Sequence, residues 1–176
     1  MNIANKLTVF RILLVPVFII CLEVFHLDNY IPFIVFVVAA LTDSLDGYFA
    51  RSRNLITTFG KFLDPIADKL LALSAFIMLV GMDIIPAWSV CIIVAREIVI
   101  TGFRIIAASN NITIAASNLG KIKTISQFLS ICLILSKIKL GINIDLLVYY
   151  FSVVFTILSG IDYIMKNKSV LDLSNI

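Results

Sequence analysis

Residues 43–68 read DSLDGYFARSRNLITTFGKFLDPIAD and place four aspartates in a strongly apolar chain. The chain has 176 residues, of which 61% are hydrophobic and 14% are charged. Soluble domains are about 45–50% apolar and about 25% charged. This apolar excess is too large for one buried core, so we expect an integral membrane protein. An aspartate at the centre of a membrane helix costs about 2.5–3.5 kcal/mol on insertion scales, so four in one short stretch indicate a functional site.

Apolar segments of membrane-spanning length lie on both sides of this stretch. A helix needs about 20 apolar residues to cross a bilayer, and six such segments can be drawn. They cover residues 7–25, 31–51, 62–82, 86–108, 119–136 and 144–165. Pro16 and Pro65 fall inside this pattern, and we expect each to kink or restart its helix. The sequence therefore predicts an all-α, polytopic membrane protein with six transmembrane helices in a single domain, residues 1–176.

Lysine and arginine set the expected orientation, because they are enriched in cytoplasmic loops. With the N-terminus inside, ten of the 14 basic residues lie at inner helix ends: Lys6, Arg11, Arg51, Arg53, Lys61, Arg104, Lys121, Lys123, Lys166 and Lys168. The outer loops then hold Lys137 and Lys139. We therefore expect both termini to be cytoplasmic. The net charge of +3 marks membrane ends, and we predict no nucleic-acid partner.

Helical spacing places the four aspartates on two acidic faces. Asp43 and Asp46 are three residues apart, and Asp64 and Asp68 are four apart, so each pair shares one side of its helix. The segment between the helices is short, so their inner ends meet and the faces can converge. Four close carboxylates require protons or cations. Their oxygens suit Mg²⁺ or Mn²⁺, and two such ions suit displacement at phosphorus.

Small residues and an arginine accompany the aspartates. Gly47 and Ala50 leave room for a ligand beside the second helix, and Gly60 does so before the third. Arg51 offers a planar donor fork that suits phosphate. Close helix packing explains Gly47 and Ala50 equally well, so both interpretations stay open.

The same residues resemble the signature of the CDP-alcohol phosphatidyltransferases. The match runs Asp43-x-x-Asp46-Gly47-x-x-Ala50-Arg51, eight residues, Gly60, three residues, Asp64, three residues, Asp68. Members of that family move a phosphatidyl or similar group from a CDP-linked donor to an alcohol and release CMP. The resemblance implies that two divalent ions are bound by the four aspartates, Asp43, Asp46, Asp64 and Asp68. It implies that CDP is held by Asp46, Gly47, Ala50, Arg51 and Gly60. It also implies that Asp68 is the general base for the acceptor hydroxyl, and that the enzyme is a homodimer.

The N-terminal segment Asn5-Lys6-Leu7-Thr8-Val9-Phe10-Arg11 resembles the opening of one branch of this family, the bacterial phosphatidylglycerophosphate synthases. In that branch the segment lies beside the nucleotide, so Asn5, Thr8 and Arg11 are expected to contact CDP. A helix cap would explain Thr8 without a ligand, and a snorkelling inner-end cation would explain Arg11.

Residues 95–104 and 120–124 also resemble that branch, whose acceptor is glycerol 3-phosphate. An acceptor of this kind needs cations for its phosphate, and the best candidates are Arg104, Lys121 and Lys123. The alternative is that these charges set topology and form an internal arginine–glutamate pair.

The function expected from the sequence is transfer of the phosphatidyl group from CDP-diacylglycerol to glycerol 3-phosphate, at the cytoplasmic face of a bacterial plasma membrane. A first alternative is another acceptor, such as inositol phosphate, serine or phosphatidylglycerol, because the signature reads only the donor. A second is a cation transporter, whose carboxylates would be expected near mid-membrane on several helices. Here they cluster at one inner edge.

Overall fold

The computed structural model describes the backbone of residues 3–52, 58–109, 114, 117–137 and 143–168, and the side chains of residues 8–42, 69–108, 114, 117–137 and 143–168. Within these ranges the regular structure is helical. The helices are α1 (Ile3–Phe25), α2 (Ile31–Ser52), α3 (Thr58–Gly81), α4 (Ala87–Ser109), α5 (Asn118–Ser136) and α6 (Ile144–Lys166). The predicted all-α fold is confirmed.

The helix boundaries follow the apolar segments closely. The largest difference is four residues, at the starts of α1 and α3. Helix α1 continues through Pro16, and α3 is already helical before Pro65. Neither proline restarts its helix, and the expected kinks stay a prediction. Proline removes one backbone N–H donor, but the hydrogen bonds of the neighbouring turns remain, so each helix continues.

Three of the described helices are long and apolar enough to cross a membrane: Thr8–Phe25, Asn118–Ser136 and Ile144–Lys166. Shorter apolar stretches lie at Ile31–Thr42 and Lys69–Gly81. Helices able to cross a membrane are thus present, and the count of six spans stays a prediction.

Helix α6 has its polar side chains buried and its apolar side chains exposed. Ser152, Thr156 and Ser159 are fully buried, whereas Leu147 and Ile161 are more than half exposed. A helix of a soluble protein has the opposite arrangement. Hydroxyl groups at helix contacts and branched apolar groups on the outside are typical of a protein surrounded by lipid.

Contacts between Cα atoms divide the chain into two compact units. Unit 1 comprises Met1–Ile84 and Ile131–Lys139. In it, α1 packs against α2 and α3, and α2 packs against α3. The rings of Phe18 and Phe36, both buried, lie 5.6 Å apart and join α1 to α2.

Unit 2 comprises Ile85–Ser130 and Leu140–Ile176. Helix α4 packs closely against α6. Between α5 and α6 lies an apolar groove of about 410 Å³, lined by Ile122, Ile125 and Leu129 on one side and by Leu147 and Phe151 on the other. The prediction of a single domain remains a prediction.

Candidate active site

All four signature aspartates lie on helical backbone near the connection between α2 and α3 in unit 1. Asp43 and Asp46 lie in the last turns of α2, and Asp64 and Asp68 lie in the first half of α3. Since both segments are helical, each pair keeps the shared face that its spacing predicts. Their side chains lie outside the described residues, so the expected metal site stays a prediction.

The other signature positions have the same status. Gly47, Ala50 and Arg51 lie in α2 and Gly60 lies in α3, but the structure describes only their backbone. Asn5 lies in α1, and its side chain is also outside the described residues. Their expected contacts with CDP remain predictions.

Thr8 and Arg11 lie in α1, and both are buried. Thr8 follows the start of α1 at Ile3, so it is not a helix cap. The Arg11 side chain is 1% exposed, whereas a snorkelling cation would reach out to the surface. Both ligand-free explanations offered by the sequence are therefore wrong. A guanidinium buried in a membrane protein is a candidate functional residue, and the contacts of Thr8 and Arg11 with CDP stay predictions.

A buried charged cluster occupies the centre of unit 2. Lys123 on α5 and Arg96 on α4 both donate hydrogen bonds to Oε1 of Glu97, and the bond from Arg96 Nη1 measures 3.0 Å. Arg96 Nη2 donates a further bond to Ser159 Oγ on α6, at 3.2 Å. The three charged side chains are at most 13% exposed. Two cations thus face one carboxylate in this cluster.

One glycine, Gly160, leaves room for the Arg96 side chain. A Cβ atom at Gly160 would lie 3.3 Å from Arg96 Cγ, and one at Gly120 would lie 3.8 Å from Arg96 Nη2. The first distance is tighter than most carbon contacts. Gly160 therefore lets the arginine lie directly against α6.

The three predicted acceptor cations have different surroundings. Lys123 is buried in the charged cluster, whereas Arg104 and Lys121 are exposed. The Arg104 guanidinium lies 5.8 Å from the ring centroid of Tyr163, within the range of a cation–π contact. The alternative paired Arg104 with Glu97, whereas the arginine–glutamate pair that the structure describes is formed by Arg96 and Glu97. The role of all three cations stays a prediction.

The sequence analysis assigned no role to Arg96, Gln127 or Ser159. Gln127 lies one helical turn after Lys123 and donates a buried hydrogen bond to Thr156 on α6, at 3.1 Å. The available signal was the four-residue spacing of Lys123 and Gln127, which places two long polar side chains on one face of α5. Nothing in the sequence identified their partners, which lie 26 and 29 residues away.

Within the described side chains, no three His, Cys, Asp or Glu residues are grouped so that they could hold a metal ion. Among those residues, the charged chemistry is thus concentrated on Arg96, Glu97 and Lys123.

Replacing Glu97 by Gln should destabilise the protein strongly. The change leaves two buried cations without their carboxylate, and removing one partner of a buried pair costs about 3–5 kcal/mol. Asp162→Asn is the matched control, because Asp162 pairs with the largely exposed Lys166 on the same helix. Pairs of that kind contribute about 0.3–0.5 kcal/mol. Thermal unfolding in detergent micelles measures both, and equal shifts would contradict the importance of the cluster.

Comparison with known proteins places these features in one family. The family model described as CDP-alcohol phosphatidyltransferase matches residues 1–158. The chain is 42% identical over 194 aligned positions to the CDP-diacylglycerol–glycerol-3-phosphate 3-phosphatidyltransferase of Bacillus subtilis, covering 99% of each chain. It is 37% identical to the protein of that name from Rickettsia felis, covering 95% of this chain and 96% of the relative. It is 33% identical to that from Shigella flexneri, covering 96% of each. The chain belongs to the CDP-alcohol phosphatidyltransferase family.

Proposed function

We propose that this protein transfers the phosphatidyl group of CDP-diacylglycerol to glycerol 3-phosphate, giving phosphatidylglycerol phosphate and CMP. The relatives described above carry this reaction in their names, and they align with the chain over nearly its full length. The structural observation behind the acceptor is the presence of two nearly buried cations, Arg96 and Lys123, beside Glu97. A phosphate-bearing acceptor is the kind of anion that such cations bind.

The proposed orientation has six membrane-spanning helices, with both termini and the active site on the cytoplasmic side of a bacterial plasma membrane. The distribution of lysine and arginine supports it. The lengths and apolar composition of the described parts of α1, α5 and α6 are compatible with it. A homodimer, which the family resemblance implies, is also part of the proposal.

The donor is assigned to the signature residues and to α1. Four aspartates form an all-oxygen donor set, which fits two Mg²⁺ or Mn²⁺ ions held by Asp43, Asp46, Asp64 and Asp68. When bound, such ions neutralise the donor diphosphate and the departing CMP. The positions assigned to CDP are Asn5, Thr8, Arg11, Asp46, Gly47, Ala50, Arg51 and Gly60.

Asp68 is assigned to proton transfer. It takes the proton of the 1-hydroxyl of glycerol 3-phosphate while that oxygen bonds to the β-phosphorus of the donor. The bond from that phosphorus to the CMP oxygen breaks, and CMP leaves. A carboxylate is a weak base for an alcohol, so Asp68 must be placed within hydrogen-bond reach of the hydroxyl.

The acceptor phosphate is assigned to Lys123, together with Arg104 and Lys121. Lys123 is held in place by Glu97 and is nearly buried, so its charge is weakly screened by salt. The exposed Arg104 and Lys121 add positive charge at the inner helix ends.

An acceptor panel tests the proposal directly. The purified protein in mixed micelles should form lipid product from CDP-diacylglycerol and labelled glycerol 3-phosphate. Product formation with serine, inositol phosphate or phosphatidylglycerol should be at least about 100-fold slower, because a site built for one polar group rejects analogues that leave its own groups unpaired. Activity confined to an acceptor without a phosphate would overturn the choice of glycerol 3-phosphate.

Replacing Asp68 by Asn should lower turnover by at least about 100-fold, which is the usual contribution of a general base. Binding of CDP-diacylglycerol, measured by titration, should weaken much less. Asp28→Asn is the control, because Asp28 is exposed and pairs with Lys137 in unit 1 away from the signature. Full turnover in the Asp68→Asn variant would remove Asp68 as the base.

Removing divalent ions should abolish activity reversibly. A chelator is expected to stop CMP release, and added Mg²⁺ or Mn²⁺ should restore it, since both are hard ions suited to carboxylate oxygens. The same titration on an Asp43→Asn variant should require more metal. CMP release that persists in excess chelator would contradict the proposed metal site.

A further inference from the structure

The inner half of α5 is joined to its neighbours by long polar side chains. Lys123 reaches Glu97 on α4, and Gln127 reaches Thr156 on α6. The two residues are four apart, so they lie on the same face of α5. The backbones of α4 and α6 pack closely against each other. Among the residues that the structure describes, the backbone of α5 does not pack this closely against another helix.

Apolar packing does not fix α5 against α6 on its outer side. There, Ile125 and Leu129 are exposed and, together with Phe151, line the open apolar groove of about 410 Å³. A helix beside such a space can shift or rotate more easily than one in a filled core. The polar contacts of α5 therefore matter more for its position than they would in a tightly packed bundle.

In the hydrogen bond between Gln127 and Thr156, the donor and the acceptor are fixed by their other contacts. Gln127 and Thr156 are 5% and 0% exposed. The Thr156 hydroxyl donates its proton to the carbonyl of Ser152 at 2.7 Å, so its lone pairs are free to accept from the Gln127 amide. Neither group can turn to water if the bond is broken, and leaving a buried donor without an acceptor is costly.

We propose that Gln127 is a positioning residue for the acceptor: by bonding to Thr156 it fixes α5 relative to α6 and so holds Lys123 where it binds the acceptor phosphate. The inference rests on the proposed acceptor role of Lys123. Gln127 itself touches no substrate. Its loss lets α5 move, and Lys123 then spends less time in the binding position.

The test compares steady-state kinetics of Gln127→Leu and Thr156→Val, each close in size to the residue it replaces. Each should raise the KM for glycerol 3-phosphate about three- to tenfold, the range expected from interhelical hydrogen bonds in membranes. The kcat and the KM for CDP-diacylglycerol should stay within about twofold. The double variant should be no worse than the poorer single variant, because both remove the same bond. Thr156→Ser keeps the hydroxyl and should behave like the original protein.

Ser130→Ala is the matched control on α5. It removes a buried hydroxyl one turn further along, but that hydroxyl donates only within its own helix, to the carbonyl of Gln127. Its kinetic constants should not change. Additive effects in the double variant would overturn the positioning role, and so would an unchanged KM for glycerol 3-phosphate. It would also be overturned if kcat and melting temperature both fell and both KM values changed together.

A Lys123→Gln variant measured in parallel separates the two proposals. If it raises the KM for glycerol 3-phosphate and Gln127→Leu does not, only the positioning role is wrong. If Lys123→Gln leaves that KM unchanged, the acceptor role of Lys123 is wrong, and the positioning role falls with it.

Discussion

Charge buried within lipid-facing helices is the constraint on which the structure of unit 2 depends. Arg96, Glu97 and Lys123 lie in apolar helices and are nearly buried, so each must find its partner inside the protein. A buried ion cluster of this kind stabilises a fold no better than apolar side chains of the same volume would. Its presence is therefore poorly explained by stability. A fixed positive charge in a protected position is the property that apolar side chains could not provide.

Helix α6 organises this unit through one face made of small and hydroxyl-bearing residues. Tyr149 and Ser159 of α6 form hydrogen bonds with Ser89 and Arg96 of α4. Thr156 of α6 accepts a hydrogen bond from Gln127 of α5. Gly160 adds the space that Arg96 requires. In lipid the hydrophobic effect does not drive helices together. Interhelical hydrogen bonds and close packing at small residues therefore decide how the helices associate. One face of α6 thus sets the positions of both neighbouring helices.

The sequence predicted the helices well because hydropathy depends on each segment alone. A stretch of about 20 apolar residues has few alternatives in a bilayer, and boundaries such as Phe25 and Ser136 agree with the structure. The prolines do not restart their helices because proline is better tolerated in membrane helices than in isolated ones. The explanation of Thr8 as a cap failed because α1 begins earlier, at Ile3. The explanation of Arg11 as a snorkelling cation failed because it treated α1 as a single helix. Burial of those side chains depends on packing within unit 1, which their position in the chain does not reveal.

The candidate site was predictable only in part, and for the same reason. Spacing along one helix shows that Asp43 and Asp46 share a face, and the helical backbone agrees. Spacing along one helix does not predict the contact between Glu97 and Lys123. That contact joins two helices and depends on the rotation of α5 about its axis. The three predicted acceptor cations look alike in sequence, yet Arg104 lies exposed beside Tyr163 whereas Lys123 is buried.

Because they differ in burial, these cations have different roles in the proposed reaction. The charges of Arg104 and Lys121 are open to solvent, so salt screens them and they act mainly on the arrival of an anionic acceptor. Lys123 is desolvated and held by Glu97, so its interaction with a phosphate depends on geometry and is screened far less. Under the proposed function, discrimination for a phosphate-bearing acceptor rests on the buried cation, and through it on the contacts that fix α5.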